Sequence, residues 1–367
     1  MKHIESMTHL IKEQGWMSLL LLLMLLLNSC KDSVSLDGFN NKGKLVVYCF
    51  PTAGDSTRMW VSTSVPVTRQ GNHTIEPVNE AQISYNINGK PCPVEKEGKG
   101  IYLIKGTQRA GDKVSLHVSF GDYTPITAEV TLPQPVKVEL KTLRTIGLYD
   151  NDYERTIDYD QLAATFSDNA GTHDFYAVRV CSKYVKGIIR AYKGTTEYDY
   201  SSYSLYLAEQ QQWDSVSAER IASVYRYPKI NAQSEPLLNP LTDIDDFFGF
   251  SGDWFDNLCL FDDSGISGKE YTLHLNVEAD DNGPSGFQME HDYSVELYRI
   301  TPEFYRFINA LNDTENNDLG SYGFSPVRPM VSNCQGGLGL VGALGMSSSN
   351  WLTKTIIIND PHIYEEQ

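Results

Sequence analysis

Apolar and polar positions alternate with a period of two through much of this chain, and that spacing predicts strands rather than helices. Leu45-Val46-Val47-Tyr48-Cys49-Phe50 is a continuous apolar run suited to a buried strand, and 59–65 is another strand candidate. Ala81, Ile83, Tyr85 and Ile87 alternate with polar residues. Asn88-Gly89 then supplies a two-residue hairpin turn in which both positions tolerate positive φ. Val114, Leu116, Val118 and Phe120 alternate with Ser115, His117 and Ser119, the cleanest half-buried strand in the chain. This register puts His117 on the polar face, as a solvated strand residue. Ile126, Ala128, Val130 and Leu132 close the series. About six or seven short strands separated by turn signals predict an immunoglobulin-like β-sandwich over residues 44–133.

Pro133-Gln134-Pro135 reads as a hinge, after which 134–367 is expected to form a second β-rich domain. Its predicted strands are 136–143, 162–166, 175–181, 271–277 and 295–300. An insertion at about 182–270 separates two groups of these strands. It holds Tyr184, Tyr192, Tyr198, Tyr200, Tyr203 and Tyr206, then a polar, helix-like piece at 208–223. An acidic aromatic stretch with Phe247, Phe248, Phe250, Trp254 and Phe255 runs from Asp243 to Asp263. Loops of this length are functional or disordered, and so many aromatic residues argue against disorder. Thr301-Pro302 opens the one clear helix, with Phe304, Phe307, Ile308 and Leu311 as an apolar stripe for core packing. A last short strand is predicted at 355–358.

Composition changes this picture chiefly at the N-terminus. The apolar run from Met17 to Leu27 would be roughly 17 Å long as a helix. A hydrocarbon layer of about 30 Å is too thick for it to span. With Lys2 and Lys12 ahead of it, the run reads as the middle of a signal peptide over 1–29. Leu27-Asn28-Ser29-Cys30 resembles the bacterial lipobox, which implies lipidation of Cys30. Residues 30–43 then form a polar tether. Lys31-Asp32 resembles the start of the tag that sends Bacteroidota lipoproteins to the cell surface, although Ser33 replaces its second acidic residue. The net charge of -17 is unchanged by loss of the leader, in which Lys2, Lys12, Glu5 and Glu13 cancel. Phosphate backbones would repel such a chain, so nucleic acid is not an expected partner. Attachment to membrane is expected through acyl chains, at about 0.8 kcal/mol per buried CH₂.

The chemical motifs are weak. Gly337-Leu338-Gly339-Leu340-Val341-Gly342 spells G-x-G-x-x-G. It lies near the chain end after Pro326 and Pro329, without a βαβ unit, so close backbone packing explains the glycines better than a dinucleotide. Glu278-x-Asp280-x-Asn282-Gly283 resembles the opening of a calcium loop, but Met289 stands where the terminal glutamate belongs, and Glu290 is one place late. A solvated turn is expected there. Asp243, Asp245, Asp246 and the pair Asp262-Asp263 are oxygen-rich without a ligand spacing. No G-x-S-x-G, H-E-x-x-H or Walker pattern occurs, so neither catalysis nor a cofactor or metal is expected. With Cys30 lipidated, Cys49, Cys92, Cys181, Cys259 and Cys334 remain. One disulfide can form in an oxidising envelope, Cys49–Cys92 being the pair within one domain. Burial as free thiols is the alternative. Asp32-Ser33-Val34, Asp55-Ser56-Thr57 and Asp214-Ser215-Val216 resemble O-glycosylation sites of exported Bacteroidota proteins. The best candidate surface is the aromatic insertion, with Tyr198, Tyr200, Tyr203, Trp213, Trp254 and Phe255 as candidate ligand-binding residues.

Several stretches together resemble the Bacteroidota outer-membrane lipoprotein family catalogued as domain of unknown function 4249. They are the lipobox; 45–50 with Val61-Ser62-Thr63-Ser64-Val65-Pro66; and Phe166-Ser167-Asp168-Asn169-Ala170-Gly171 before Phe175-Tyr176. Leu260-Phe261-Asp262-Asp263 with Gly268-Lys269, Ile300 to Phe307, and Pro326 with Ser332 to Gly339 follow in order. Cys334 stands where an aliphatic residue is expected. The resemblance implies a surface lipoprotein anchored in the outer membrane, with a TonB-dependent transporter as partner and no catalytic residues. The expected function is ligand capture for that transporter; a structural or adhesive module is the alternative.

Overall fold

Alternation of buried and exposed side chains carries through into paired strands across nearly the whole molecule. The computed structural model describes residues 43–64, 76–150, 154–200, 212–241, 257–279, 287–316, 331–355 and 364–365. The fold is mainly β, with one α-helix among the described residues. No helix among them is long and apolar enough to cross a membrane. Residues 43–65 and 73–367 cluster as one compact unit.

Two sheets enclose the first core. In one, β1 (Leu45–Cys49) pairs with β2 (Gly54–Thr63). In the other, β3 (Gln82–Ile87) pairs with a later strand, Lys113–Ser119. Strand β4 (Ile101–Gln108) continues the first sheet beside β2. The strand Lys113–Ser119, here β5, and β6 (Ile126–Thr131) continue the second. Val47, Met59, Ile104, Val114, Val118 and Ile126 fill the space between, none more than 1 % exposed. The turn expected at Asn88-Gly89 forms, with φ of 51° and 77°, and closes Ile87 onto Lys90. His117 is exposed on β5, as its register requires.

The longer strands follow. Strands β7 (Val138–Asp150) and β8 (Arg155–Ser167) pair antiparallel. Next comes β9 (Phe175–Lys193), which continues well beyond the expected end at Cys181 and pairs with β10 (Ser215–Arg226). The helix-like piece expected at 208–223 is therefore corrected where it is described: from Ser215 it is strand. Most described side chains of β10 are exposed or half-buried, so it shows no apolar period in sequence, and its strand state comes from pairing with β9. Strand β11 (Cys259–Asp262) also pairs with β9, and β12 (Glu270–Glu278) pairs with β8. The long β13 (Phe287–Ile300) runs antiparallel to β9 along most of its length.

Helix α1 (Pro302–Asn316) starts where Thr301-Pro302 predicts. Phe304, Phe307, Ile308 and Leu311 are each at most 1 % exposed and pack with Val46, Tyr48, Leu260 and Tyr298. The Thr301 hydroxyl, expected as the helix cap, accepts a hydrogen bond from the Ala343 N–H at 3.3 Å. The chain then returns to the first sheet: β14 (Leu338–Val341) lies parallel to β1, with Val47 opposite Gly339. Gly339 has φ +108°, and a Cβ there would sit 1.9 Å from the Val47 carbonyl oxygen. Close backbone approach thus accounts for this glycine. Strands β15 (Leu344–Ser348) and β16 (Leu352–Thr355) both pair with β13. The last strand predicted at 355–358 lies three residues earlier, and 356–358 fall outside the described residues. Cys49, Cys92, Cys181, Cys259 and Cys334 are all free, so the Cys49–Cys92 bond does not form. Burial pushes the thiols of Cys259 and Cys334 up to about 12 from 9.0, which keeps them protonated and inert.

Candidate ligand-binding site

Register between three strands builds the site. Ser182 on β9 lies opposite Tyr293 on β13 and, on its other side, opposite Arg226 at the end of β10. Two residues on, Tyr184 lies opposite His291. Paired residues share a face, and alternate residues share it too, so these side chains form two adjoining rows on one surface. With Tyr227, Pro228, Lys229, Asn257, Glu278 and Ala279 they line a cavity of about 550 Å³. That volume is within the range of small-molecule sites, about 300–1,000 Å³.

The floor is rigid and polar. Ser182, Tyr184, His291 and Tyr293 are all buried. The Tyr293 hydroxyl donates to Asp160 at 2.8 Å, and its oxygen lies 3.2 Å from Nδ1 of His291. A carboxylate only accepts, so the tyrosine proton points to Asp160, leaving its oxygen to accept from Nδ1–H. Asp160 is itself 1 % exposed and is held by Lys354 at 3.0 Å and the Thr145 hydroxyl at 2.9 Å. The ring of His291 lies 4.5 Å from Tyr184 and 4.2 Å from Tyr293. Ser182 Oγ is buried without a hydrogen-bond partner among the described residues. Buried hydroxyls normally find one, so this atom asks for an explanation.

The rim is aromatic and cationic. The Arg179 guanidinium stacks 3.8 Å from the Tyr227 ring centroid while donating to Glu296 at 2.6 Å, which fixes the ring by a cation–π contact. Asn257 donates to the Tyr227 carbonyl at 2.6 Å from a backbone with φ +60°. Arg226 lies 5.2 Å over the Tyr184 ring. Glu278 is the one carboxylate in the lining, and it is exposed.

The sequence-predicted site residues fall elsewhere. Tyr198, on a short strand Thr196–Tyr200 beside β9, is 38 % exposed and lies 5.0 Å from Trp213; Tyr200 is buried, 5.9 Å from the same ring. These three come together as a cluster away from the cavity lining. Tyr203, Trp254 and Phe255 lie outside the described residues, as do Asp243, Asp245, Asp246 and the calcium-like positions Asp280, Asn282 and Gly283. Sequence reasoning missed Ser182, Arg226, Tyr227, His291 and Tyr293. The available signal was the spacing of Ser182-x-Tyr184 and His291-x-Tyr293, polar and aromatic residues at period two inside otherwise apolar strands.

A second cluster joins two loops. Asp168, Asp174 and Asp263 are buried with carboxylate oxygens within 4.8 Å of one another. Asp168 accepts from the Tyr176 hydroxyl at 2.5 Å and the Gly268 N–H at 2.9 Å; Asp174 pairs with Arg299 and accepts from Thr172 at 3.0 Å. Asp263 accepts from the Asp174 N–H at 3.0 Å and lies 2.5 Å from Nδ1 of His173. Asp262 accepts from the Ser264 N–H at 2.9 Å and has a carboxylate oxygen within 4.8 Å of donor atoms of His173 and Asp263. These contacts tie the 168–174 and 262–269 segments together. The oxygens are close enough for a cation, but Arg299 already neutralises part of the charge, and loop fastening accounts for the group.

Sequence comparison adds the family. The model described as Domain of unknown function (DUF4249) matches residues 31–350, and the chain belongs to that family. No curated protein and no solved structure matches it.

Proposed function

We propose, with membership of that family as the premise, that the protein is a lipid-anchored envelope protein of the outer membrane. In this reading it captures a small ligand for a TonB-dependent transporter, and its role is binding rather than catalysis. The observation that carries the capture reading is the cavity lined from β9, β10 and β13: a fixed floor, aromatic walls and a volume of about 550 Å³. Anchoring is supported by the lipobox ending at Cys30, and surface exposure by Lys31-Asp32.

Metabolic labelling with a fatty-acid probe should mark the wild-type chain and not Cys30→Ser. Purification in mild detergent should bring down a β-barrel transporter. Glycan, peptide and metal-chelate screens should give a ligand whose binding is lost in Tyr227→Ala. An unlabelled thiol at Cys30 would overturn the anchor. Empty screens without a recovered transporter would leave the surface-module reading standing instead.

A further inference from the structure

Resting on that capture reading, we propose that the cavity is an anion site: it takes a small organic ligand in which a carboxylate or phosphate is carried on a flat ring. The argument starts from charge. The chain carries 47 acidic against 30 basic residues, so a basic side chain facing a cavity has many available partners. Yet two cations, Arg226 and Lys229, face this cavity, and neither forms an ion pair with a carboxylate among the described residues. Arg226 instead rests over the Tyr184 ring. An uncompensated pair of like charges at the mouth of a low-dielectric cavity repels itself and attracts an anion.

The second observation is independent of charge. Ser182 Oγ is buried, lines the same cavity and has no hydrogen-bond partner among the described residues. Its position in the sheet puts it in one row with Arg226, on the neighbouring strand. Side chains so paired have Cβ atoms about 5 Å apart. An oxyanion placed between them would accept from both the serine hydroxyl and the guanidinium, and Arg offers a planar fork for bidentate contact. The orphaned hydroxyl and the unpaired cations thus have one common explanation. Beyond this corner the half-buried ring of Tyr227, locked by Arg179, gives the cavity a flat wall, so the remainder of the ligand is flat. Glu278, exposed on the rim, disfavours a ligand with negative charge at both ends.

The test uses the full chain in calorimetric titrations with three probes that share a ring: 4-nitrophenyl β-D-glucuronide, 4-nitrophenyl phosphate and the neutral 4-nitrophenyl β-D-glucoside. At least one anionic probe should bind tenfold or more tightly than the glucoside, and the tighter of the two names carboxylate or phosphate as the natural group. In Arg226→Gln/Lys229→Gln that preference should fall to near unity while the thermal midpoint stays unchanged. Ser182→Ala should weaken the anionic probe several-fold and leave the glucoside unaffected. Equal binding of all three probes, or an anion preference that survives the double substitution, would overturn the proposal. So would failure of both anionic probes. In that case a neutral ligand from the wider screens whose binding Tyr227→Ala abolishes would preserve the capture reading, whereas none would sink both.

Discussion

The two parts of the molecule bury different chemistry. Between β1–β6 the buried polar side chains are Thr57, Thr63 and Gln108, all uncharged, inside a core of Val, Leu, Ile and Met. Among the described residues every buried Asp, Glu, Arg or His lies after residue 134, including Asp160, Arg179, Asp263, His291 and Asp292. Burying charge costs several kcal/mol per ion unless pairing and hydrogen bonds offset it. An arrangement of that cost is not needed to hold a β protein together, as the first part demonstrates. The lesson is that β1–β6 serve as scaffold, while the β8–β9–β13 region holds a network whose product is a fixed cavity floor.

That contrast can be broken at several points. The largest effect belongs to Gly339→Val, where no Cβ fits against Val47: a loss above about 4 kcal/mol is expected, read as failure to recover folded chain. Asp160→Asn should cost about 3–5 kcal/mol in urea denaturation, because Lys354 loses its partner and the Tyr293–His291 contact its anchor. Ligand affinity should fall with it. Met59→Ala in the scaffold should cost about 3 kcal/mol but leave affinity of the folded fraction unchanged. A change in affinity there would abolish the division of labour.

A smaller effect is expected from pH. Burial raises the thiol of Cys181 to about 11 and that of Cys259 to about 12, from 9.0. These groups ionise first in the unfolded chain. Their contribution is therefore fully present below pH 9 and is lost as pH rises through 11 to 12. Denaturation midpoints should be flat to about pH 9 and fall above it, with Cys181→Ala reducing the slope. Least of all, His117→Ala on the exposed face of β5 should stay within about 0.5 kcal/mol of wild type.

Legibility followed the same division. In the scaffold β5 has one face on a core and one toward water, so Val114, Leu116 and Val118 announce themselves by alternation. The Asn88-Gly89 turn and the Phe304–Leu311 stripe are likewise local facts. Strand β10 lacks that asymmetry, with few described side chains buried, and so reads as polar helix. The candidate site was the least legible. Tyrosine density pointed to Tyr198, Tyr200 and Trp213, which do cluster, but the cavity uses less conspicuous residues.

By itself the sequence determined the β character, the place of the helix, the export signal it resembles and the family it resembles. Folding in three dimensions decided the rest. Which strands become neighbours depends on contacts between positions far apart in the chain, such as Ser182 with Tyr293, or Val47 with Gly339. No window along the chain contains both members of such a pair. Only when β9, β10 and β13 are laid side by side do a serine, an arginine and a tyrosine become one surface.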